Sequence, residues 1–390
     1  MTKFATIEDF KQAKADLVDL RHHLHAHPEL SHQEVKTSAL VAQKLESWGY
    51  EVTRNVGGHG VVGQLRVGNG NRSVAIRADM DALPIHEAGD HAHASTVPGV
   101  MHACGHDGHT TMLLGAAEYL ARTRNFSGTL NLIFQPAEEA GRDSGAVAMI
   151  NDGLFERFPC DAIFGLHNHP GAPAGQILMR SGPLMAAADT VRITLHGKGG
   201  HAARPHLCID PIVVGSALVM ALQTIVSRSM DSTDTAVVTV GTFHGGTATN
   251  VIADKATLEL SVRTFTPEAR ALIKARIYSI VEAQAASWGA EAEIEYDSGH
   301  PVVTNAPEET AFATGIAEEL TGAGTVVECP LIPGSEDFAH FLEHKPGCFI
   351  RLGNGEQSAP LHNPAYDFDD GSLTTGAALW ARLAERFLTH

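Results

Sequence analysis

The sequence predicts an α/β protein, a mixed sheet with helices on both faces, interrupted by an inserted ferredoxin-like unit. Three observations carry this. Strand-like and helix-like runs alternate from residue 60 to about 166 and again after 300. The order changes to β-α-β-β-α-β between residues 184 and 297. At 390 residues the chain is long enough for two cores. The expected boundaries are 1–183 plus 298–390 for a discontinuous larger domain and 184–297 for the insert.

Each element has its own signal. Residues 7–27 place Phe10, Ala13, Leu17, Leu20 and Leu24 at helical spacing, and Pro28 ends the helix. Ser31-His32-Gln33-Glu34 has the pattern of a capping box, opening a helix that runs to Trp48. Strands at 60–67 and 73–78 flank Gly68-Asn69-Gly70-Asn71, which reads as a hairpin turn. Then follow a helix over 112–122, a strand over 129–134, a helix over 144–152 and a strand over 162–166. The insert reads as strand 190–195, helix 212–229, strands 236–242 and 257–263, helix 267–287 and strand 292–296. The closing elements are a helix over 309–320, a strand over 348–352 and a helix over 371–388.

Composition narrows the function. The net charge of −17 opposes a phosphate backbone and an anionic bilayer, so neither nucleic acid nor a membrane is expected as a partner. No apolar run reads as a membrane span, and the N-terminus has no signal-peptide core. Five cysteines are too few and too scattered for a disulfide framework, which points to a reducing, cytoplasmic compartment. The 23 histidines are unusual, and they cluster at 22–32, 86–109 and 167–169. Most histidines in such tracts are surface polar groups, so position has to decide.

In open α/β sheets, ligands bind beyond the carboxyl ends of the strands. Three predicted strands end in acids or imidazoles: 74–78 runs into Asp79-Met80-Asp81, 130–134 into Gln135-Pro136-Ala137-Glu138-Glu139, and 162–166 into His167-Asn168-His169. Between the first two lies Cys104-Gly105-His106. Thiolate and imidazole suit zinc-like metals. Alone, Cys104 is a small buried hydrophobe and His106 a hydrogen bonder; beside three polar strand ends the set reads as a metal centre. Adjacent Glu138 and Glu139 point in different directions, so one can bind metal while the other serves as general base. A solvated acidic turn is the plainer reading of the pair alone. Gly58-His59-Gly60-Val61-Val62-Gly63 matches a nucleotide fingerprint, but a strand follows it instead of a helix. There is no G-x-S-x-G elbow and no H-E-x-x-H.

Taken together, RHHLHAHPELSHQE (21–34), IRADMDALPI (76–85), GVMHACGHDGHT (99–110), QPAEEAG (135–141), FGLHNHPG (164–171), GKGGHAARPH (197–206), GGTATNVIAD (245–254), GSEDF (334–338) and LHNP (361–364) resemble the aminoacylase–carboxypeptidase superfamily of di-metal hydrolases. The likeness is to its hippurate hydrolase, indoleacetyl-amino acid hydrolase and N-acyl amino acid amidohydrolase branch. The resemblance implies a di-metal hydrolase domain with an inserted lid and dimerisation domain. It implies two divalent ions, Zn²⁺ or Mn²⁺ with Co²⁺ or Ni²⁺ also suited. Their ligands would be Cys104 as bridge with His106, Glu139, His167 and His362. Glu138 resembles the general base, Asp79 a carboxylate orienting a ligand, and His201 the oxyanion stabiliser. Asn250, Arg263 and Gly334 resemble substrate-binding positions. His169 stands where related sequences are often aromatic or apolar, and is left outside the ligand set. The implied reaction is cleavage of a small-molecule N-acyl amino acid by a homodimer. Alternatives are a dipeptidase or carboxypeptidase-like di-metal peptidase, a thiol hydrolase built on Cys104, and a non-catalytic binding protein.

Overall fold

The computed structural model describes residues 4–389. The chain forms two compact units. The larger comprises the described residues of Met1–Gly182, Thr304–Pro330 and Asp337–His390; the smaller comprises Pro183–Val303 and Leu331–Glu336. The segment Leu331–Glu336, which holds Gly334, thus groups with the smaller unit, whereas the sequence boundaries leave it in the larger.

The larger unit is built on an eight-stranded mixed sheet. Its order is Glu51–Val56, Gly60–Val67, Gly128–Gln135, Ser73–Asp79, Ala162–His169, Gly347–Gly353, Ile177–Met179, Val327–Glu328. The central four strands run parallel. Their burial is near complete, which is why they read as apolar runs in the sequence. Successive side chains on a strand face opposite ways. Phe164 accordingly meets Phe312 and Phe387, while a Cβ at Gly165 would meet Phe338. The helices Leu373–Phe387 and Phe338–His344 therefore lie on opposite faces of the sheet.

Several local expectations need correction. The strands Gly60–Val67 and Ser73–Asp79 do not form a hairpin: Gly128–Gln135 lies between them, antiparallel to the first and parallel to the second. The hairpin is instead Glu51–Val56 with Gly60–Val67, turned at Gly57 and Gly58, both at positive φ. The first helix is broken into Ile7–Lys11 and Lys14–Ala26. No capping box opens Val35–Ser47: Ser31 Oγ donates to Asp81 Oδ2 (2.6 Å), and the Glu29 carboxylate accepts the amides of Lys36 and Thr37. The helix expected over 112–122 begins earlier, at His106.

The smaller unit is a four-stranded antiparallel sheet in the order Ala236–Gly245, Lys255–Thr264, Ala187–His196, Glu291–Ser298, with helices Pro211–Leu222 and Pro267–Ser287. In chain order this is β-α-β-β-α-β, the ferredoxin-like arrangement. Contrary to the sequence reading, the helical stretch Pro211–Ser229 is, at 19 residues, long and apolar enough by length and composition to cross a membrane. One of its faces, Val214, Leu218, Leu222 and Ile225, is buried against Val191, Ile193, Leu258 and Leu260 of the sheet. The opposite face leaves Val213 and Met220 exposed.

Candidate metal centre

Parallel pairing brings the carboxyl ends of Gly128–Gln135, Ser73–Asp79 and Ala162–His169 side by side. Each strand end delivers its polar residues to one place. Asp79 and His106 are fully buried, and His167 and Glu138 nearly so.

Two buried carboxylates shape the turn that carries the glutamates. Glu34 Oε1 accepts the Ala137 amide (2.7 Å) and Asp81 Oδ2 accepts the Glu139 amide (3.0 Å). Ala137 is thereby held at φ +51°, and Glu138 and Glu139 diverge. Glu138 Oε2 lies 3.9 Å from His106 Nε2, whereas Glu139 Oε1 lies 3.1 Å from His362 Nε2. Gly105 sits at φ +90°, where a Cβ would strike the Tyr366 hydroxyl and Asn168 Oδ1. Only glycine fits there, and this turn places Cys104 just ahead of the helix that starts with His106. The His362 amide donates to the Ala103 carbonyl (2.8 Å), tying the late loop to the Cys104 segment.

The donor atoms form two sets that share one thiol. Sγ of Cys104 and the ring nitrogens of His106 and His167 lie within 4.8 Å of one another, and so do the ligand atoms of Cys104, Glu139 and His362. Cys104 Sγ is 3.3 Å from His167 Nε2. Each buried imidazole is fixed through its other nitrogen. His106 Nδ1 is 2.8 Å from the Asp81 carbonyl and 3.2 Å from Asp81 Oδ1; His167 Nδ1 is 2.8 Å from the Asn168 carbonyl. Assigning the ring protons to Nδ1 turns both Nε2 atoms inward. His106 Nε2 is buried with no hydrogen-bond partner.

The electrostatics fit a cation. Burial alone would lower His106, but Asp79, Asp81 and Glu139 push it up to about 10. Burial, then Glu139, Glu138 and Asp79, push the Cys104 thiol well above its usual range. Burial, then Arg351 and His109, hold His167 neutral. Burial opposes ionisation of Asp79, yet His106, Arg77 and His109 hold its carboxyl well below the usual range. Such a pocket holds excess negative charge and an orphaned imidazole nitrogen. A divalent cation satisfies both and, by its own charge, converts the thiol to thiolate. The sulfur, imidazole and carboxylate donors suit zinc-like ions. His362 and Glu139 have side chains 50% and 14% exposed, so the second set faces solvent and the first does not.

The sequence-predicted residues thus divide in two. The fold gathers Asp79, Cys104, His106, Glu138, Glu139, His167 and His362. His201, Asn250, Arg263 and Gly334 belong to the smaller unit. There, Gly200–His201 pairs with Val251–Ile252, and the Ala202 amide donates to the Asn250 carbonyl, so His201 and Asn250 are neighbours. Half-buried Arg263 has no carboxylate partner among the described residues; its NH1 donates to the Val262 carbonyl. Gly334 is not at positive φ, and a Cβ there would make only van der Waals contacts, so no local crowding demands glycine.

Sequence reasoning missed Asp81, His109 and Asn168. Asp81 is the carboxylate bonded to His106. Asp79 lies 3.8 Å from His106 Nε2 and bonds instead to His109 Nδ1 (2.6 Å). The orienting role expected of Asp79 toward a ligand thus has a better-placed holder in Asp81. The signal was present: Asp79 ends the strand and Asp81 follows two residues on. Neither donor set includes His169; burial and Arg351 lower it to about 4.

Comparison with known proteins agrees with this geometry. Residues 75–386 match the model of peptidase family M20/M25/M40. The chain belongs to this family. It is 43% identical to a hippurate hydrolase of Campylobacter jejuni over 98% of this chain and 99% of that one. It is 38% identical to an N-acetyl-L-cysteine deacetylase of Bacillus subtilis, over 95% and 88%. Among solved structures it is similar to Bacillus subtilis YxeP, a dinuclear metal binding peptidase from the M20 family. That likeness has a TM-score of 0.86 and 36% identity, and covers 97% of this chain and 99% of that one. The chain is a metal-dependent amidohydrolase of the branch its motifs resemble.

Proposed function

We propose that the protein hydrolyses N-acyl amino acids to a carboxylic acid and a free amino acid, with Glu138 as general base. The observation that carries this is the pair of donor sets sharing Cys104, with the Glu138 carboxylate 3.9 Å from His106 Nε2. Cys104, His106 and His167 would hold one divalent ion, and Cys104, Glu139 and His362 the other. Zn²⁺ or Mn²⁺ suits these donors, with Co²⁺ and Ni²⁺ also compatible. When bound, the ions supply Lewis acidity and a water of lowered pKa.

The rest falls to the chain itself. Glu138 takes the proton of the attacking water and returns it to the nitrogen of the leaving amine. Asp81 fixes the ring of His106, and Asn168 that of His167, so that their Nε2 atoms stay aimed inward. His201 serves the oxyanion. Arg263, with no carboxylate partner among the described residues, and Asn250 serve the substrate's free carboxylate, and Gly334 contributes a bare backbone that permits close approach of the substrate. The relatives support the substrate class, since both curated ones are named for amino acids acylated on nitrogen.

We assign the protein to the cytoplasm, which suits five free cysteines. We assign it a homodimeric state through the smaller unit. The exposed Val213 and Met220 of its apolar helix, and Val237 on the edge strand Ala236–Gly245, are surfaces that a second copy would cover.

The test is release of amino acid from N-benzoyl, N-acetyl and indoleacetyl amino acids, alongside dipeptides and C-terminally free peptides. Preference for the acyl conjugates supports the reading. Preference for peptides replaces it with a carboxypeptidase-like one.

A further inference from the structure

We propose a third divalent-cation site, separate from the two donor sets above, formed by His25, Glu87 and His91. These residues belong to the histidine tracts that the hydrolytic site leaves unused. His25 lies on the helix Lys14–Ala26; Glu87 and His91 lie in the irregular segment that follows Asp81. The ligand atoms of all three lie within 4.8 Å of one another. His25 Nε2 is 3.1 Å and His91 Nε2 3.0 Å from the same oxygen, Glu87 Oε1. Two imidazoles and one carboxylate oxygen, gathered this closely, are a common ligand set for zinc and similar ions.

The surroundings support the inner two ligands. His25 is fully buried, and its Nδ1 is 2.8 Å from Asp107 Oδ2, the carboxylate-behind-imidazole arrangement that fixes the ring of a metal-binding histidine. Glu87 Oε2 accepts the Ser95 amide (2.6 Å), which leaves Oε1 directed at the imidazoles. His91 is the outer ligand, with a side chain 25% exposed, so an ion could enter from solvent and keep water as its fourth ligand.

A neighbouring set of His91, His93 and Asp367 also has its atoms within 4.8 Å. The Arg21 guanidinium lies 3.0 Å from His93 Nε2 and pairs with Asp367 at 2.7 Å, so a fixed cation already occupies that position. Among the described residues no Lys or Arg pairs with Glu87, and an ion there would replace the ring protons that His25 and His91 direct at Glu87 Oε1. An ion there would fasten the irregular segment to the helix Lys14–Ala26. The same segment is otherwise attached by backbone bonds such as the Thr96 amide to the Ala26 carbonyl and the Ala88 amide to the Pro364 carbonyl.

The experiment titrates the metal-stripped full chain with Co²⁺, then repeats the titration with Zn²⁺ followed by elemental analysis. Wild type should take up about one equivalent more than His91→Ala. That extra Co²⁺ should add visible ligand-field absorption without the near-ultraviolet thiolate band that Cys104 confers on the other ions. Glu87→Gln, which keeps the side-chain shape, should lose the same equivalent. Hydrolytic activity of His91→Ala at saturating metal should stay within about twofold of wild type, since His91 lies in neither of the Cys104-sharing sets. Equal uptake by wild type and both variants overturns the site and leaves the two-metal reading intact. An extra equivalent in wild type that persists in both variants likewise overturns it.

Discussion

Arg77 lies beneath the metal centre, and its removal should destabilise the larger unit strongly and in a pH-dependent way. Its side chain is fully buried between two carboxylates. NH1 is 2.6 Å from Asp79 Oδ2, NH2 is 2.9 Å from Asp337 Oδ1, and Nε donates to Gln135 Oε1 at 2.8 Å. Replacing it by methionine leaves both acids in a dry site. Breaking one buried pair by removing one partner costs about 3–5 kcal/mol. Two acids do not double this cost, because Asp79 keeps His106 and His109 as counter-groups. Asp337 is the group left exposed to the loss. Burial already raises its pKa, and Arg77 is the main influence lowering it, so without Arg77 it rises further. A carboxyl with a raised folded pKa loses stability as pH rises through that value. Arg77→Met should therefore cost about 3–5 kcal/mol at pH 8 and distinctly less at pH 5.5. Urea unfolding in a Trp288→Phe background makes Trp48 and Trp380 report on the larger unit alone. Adding Asp337→Asn should recover part of the loss at pH 8. A cost below about 1 kcal/mol at pH 8, or one independent of pH, would refute the reasoning.

Three further outcomes follow from the same geometry. Glu138→Gln should lower kcat by about 10²–10⁴-fold while metal content by elemental analysis stays at the wild-type level; parallel loss of metal would make Glu138 a ligand instead. Burial raises Glu34 to about 7, against the opposing pull of its backbone hydrogen bonds, so its contribution to stability is full below about 4.5 and lost as pH rises through about 7. Glu34→Gln, which mimics the protonated acid, should be more stable than wild type at pH 8, by up to ~3 kcal/mol, and not at pH 4.5; the stability–pH curve from denaturation decides. Glu29→Ala removes the acceptor for the Lys36 and Thr37 amides and should cost about 1 kcal/mol in urea unfolding, whereas Ser31→Ala, at the position the capping pattern indicated, should leave that helix start intact.

The strand ends of the site were legible because buried parallel strands are apolar throughout, so a polar residue that terminates one stands out. Asp79, Glu138, Glu139 and His167 were found this way. Pairing order was not legible in the same way. The Gly68–Asn71 turn is a local signal, but the partner of both neighbouring strands comes from residues 128–135, and only long-range packing selects it. The capping pattern failed for a similar reason: Ser31 is drawn to Asp81, fifty positions on, and Glu29 reaches the free amides first. The start of the helix at His106 depends on Gly105 fitting against Tyr366 and Asn168, contacts that no sequence window contains. Asp81 was passed over because its importance lies in bonds to residues 31, 106 and 139, each from a different part of the chain.

The most direct test is hydrolysis of N-acyl amino acids by the stripped full chain during stepwise return of a single metal, with bound metal and the Cys104 thiolate absorption followed together. Activity absent in the stripped protein, and restored as the thiolate band grows, is the predicted result. Full activity after verified metal removal, or full activity in Cys104→Ala with no metal bound, would contradict the account.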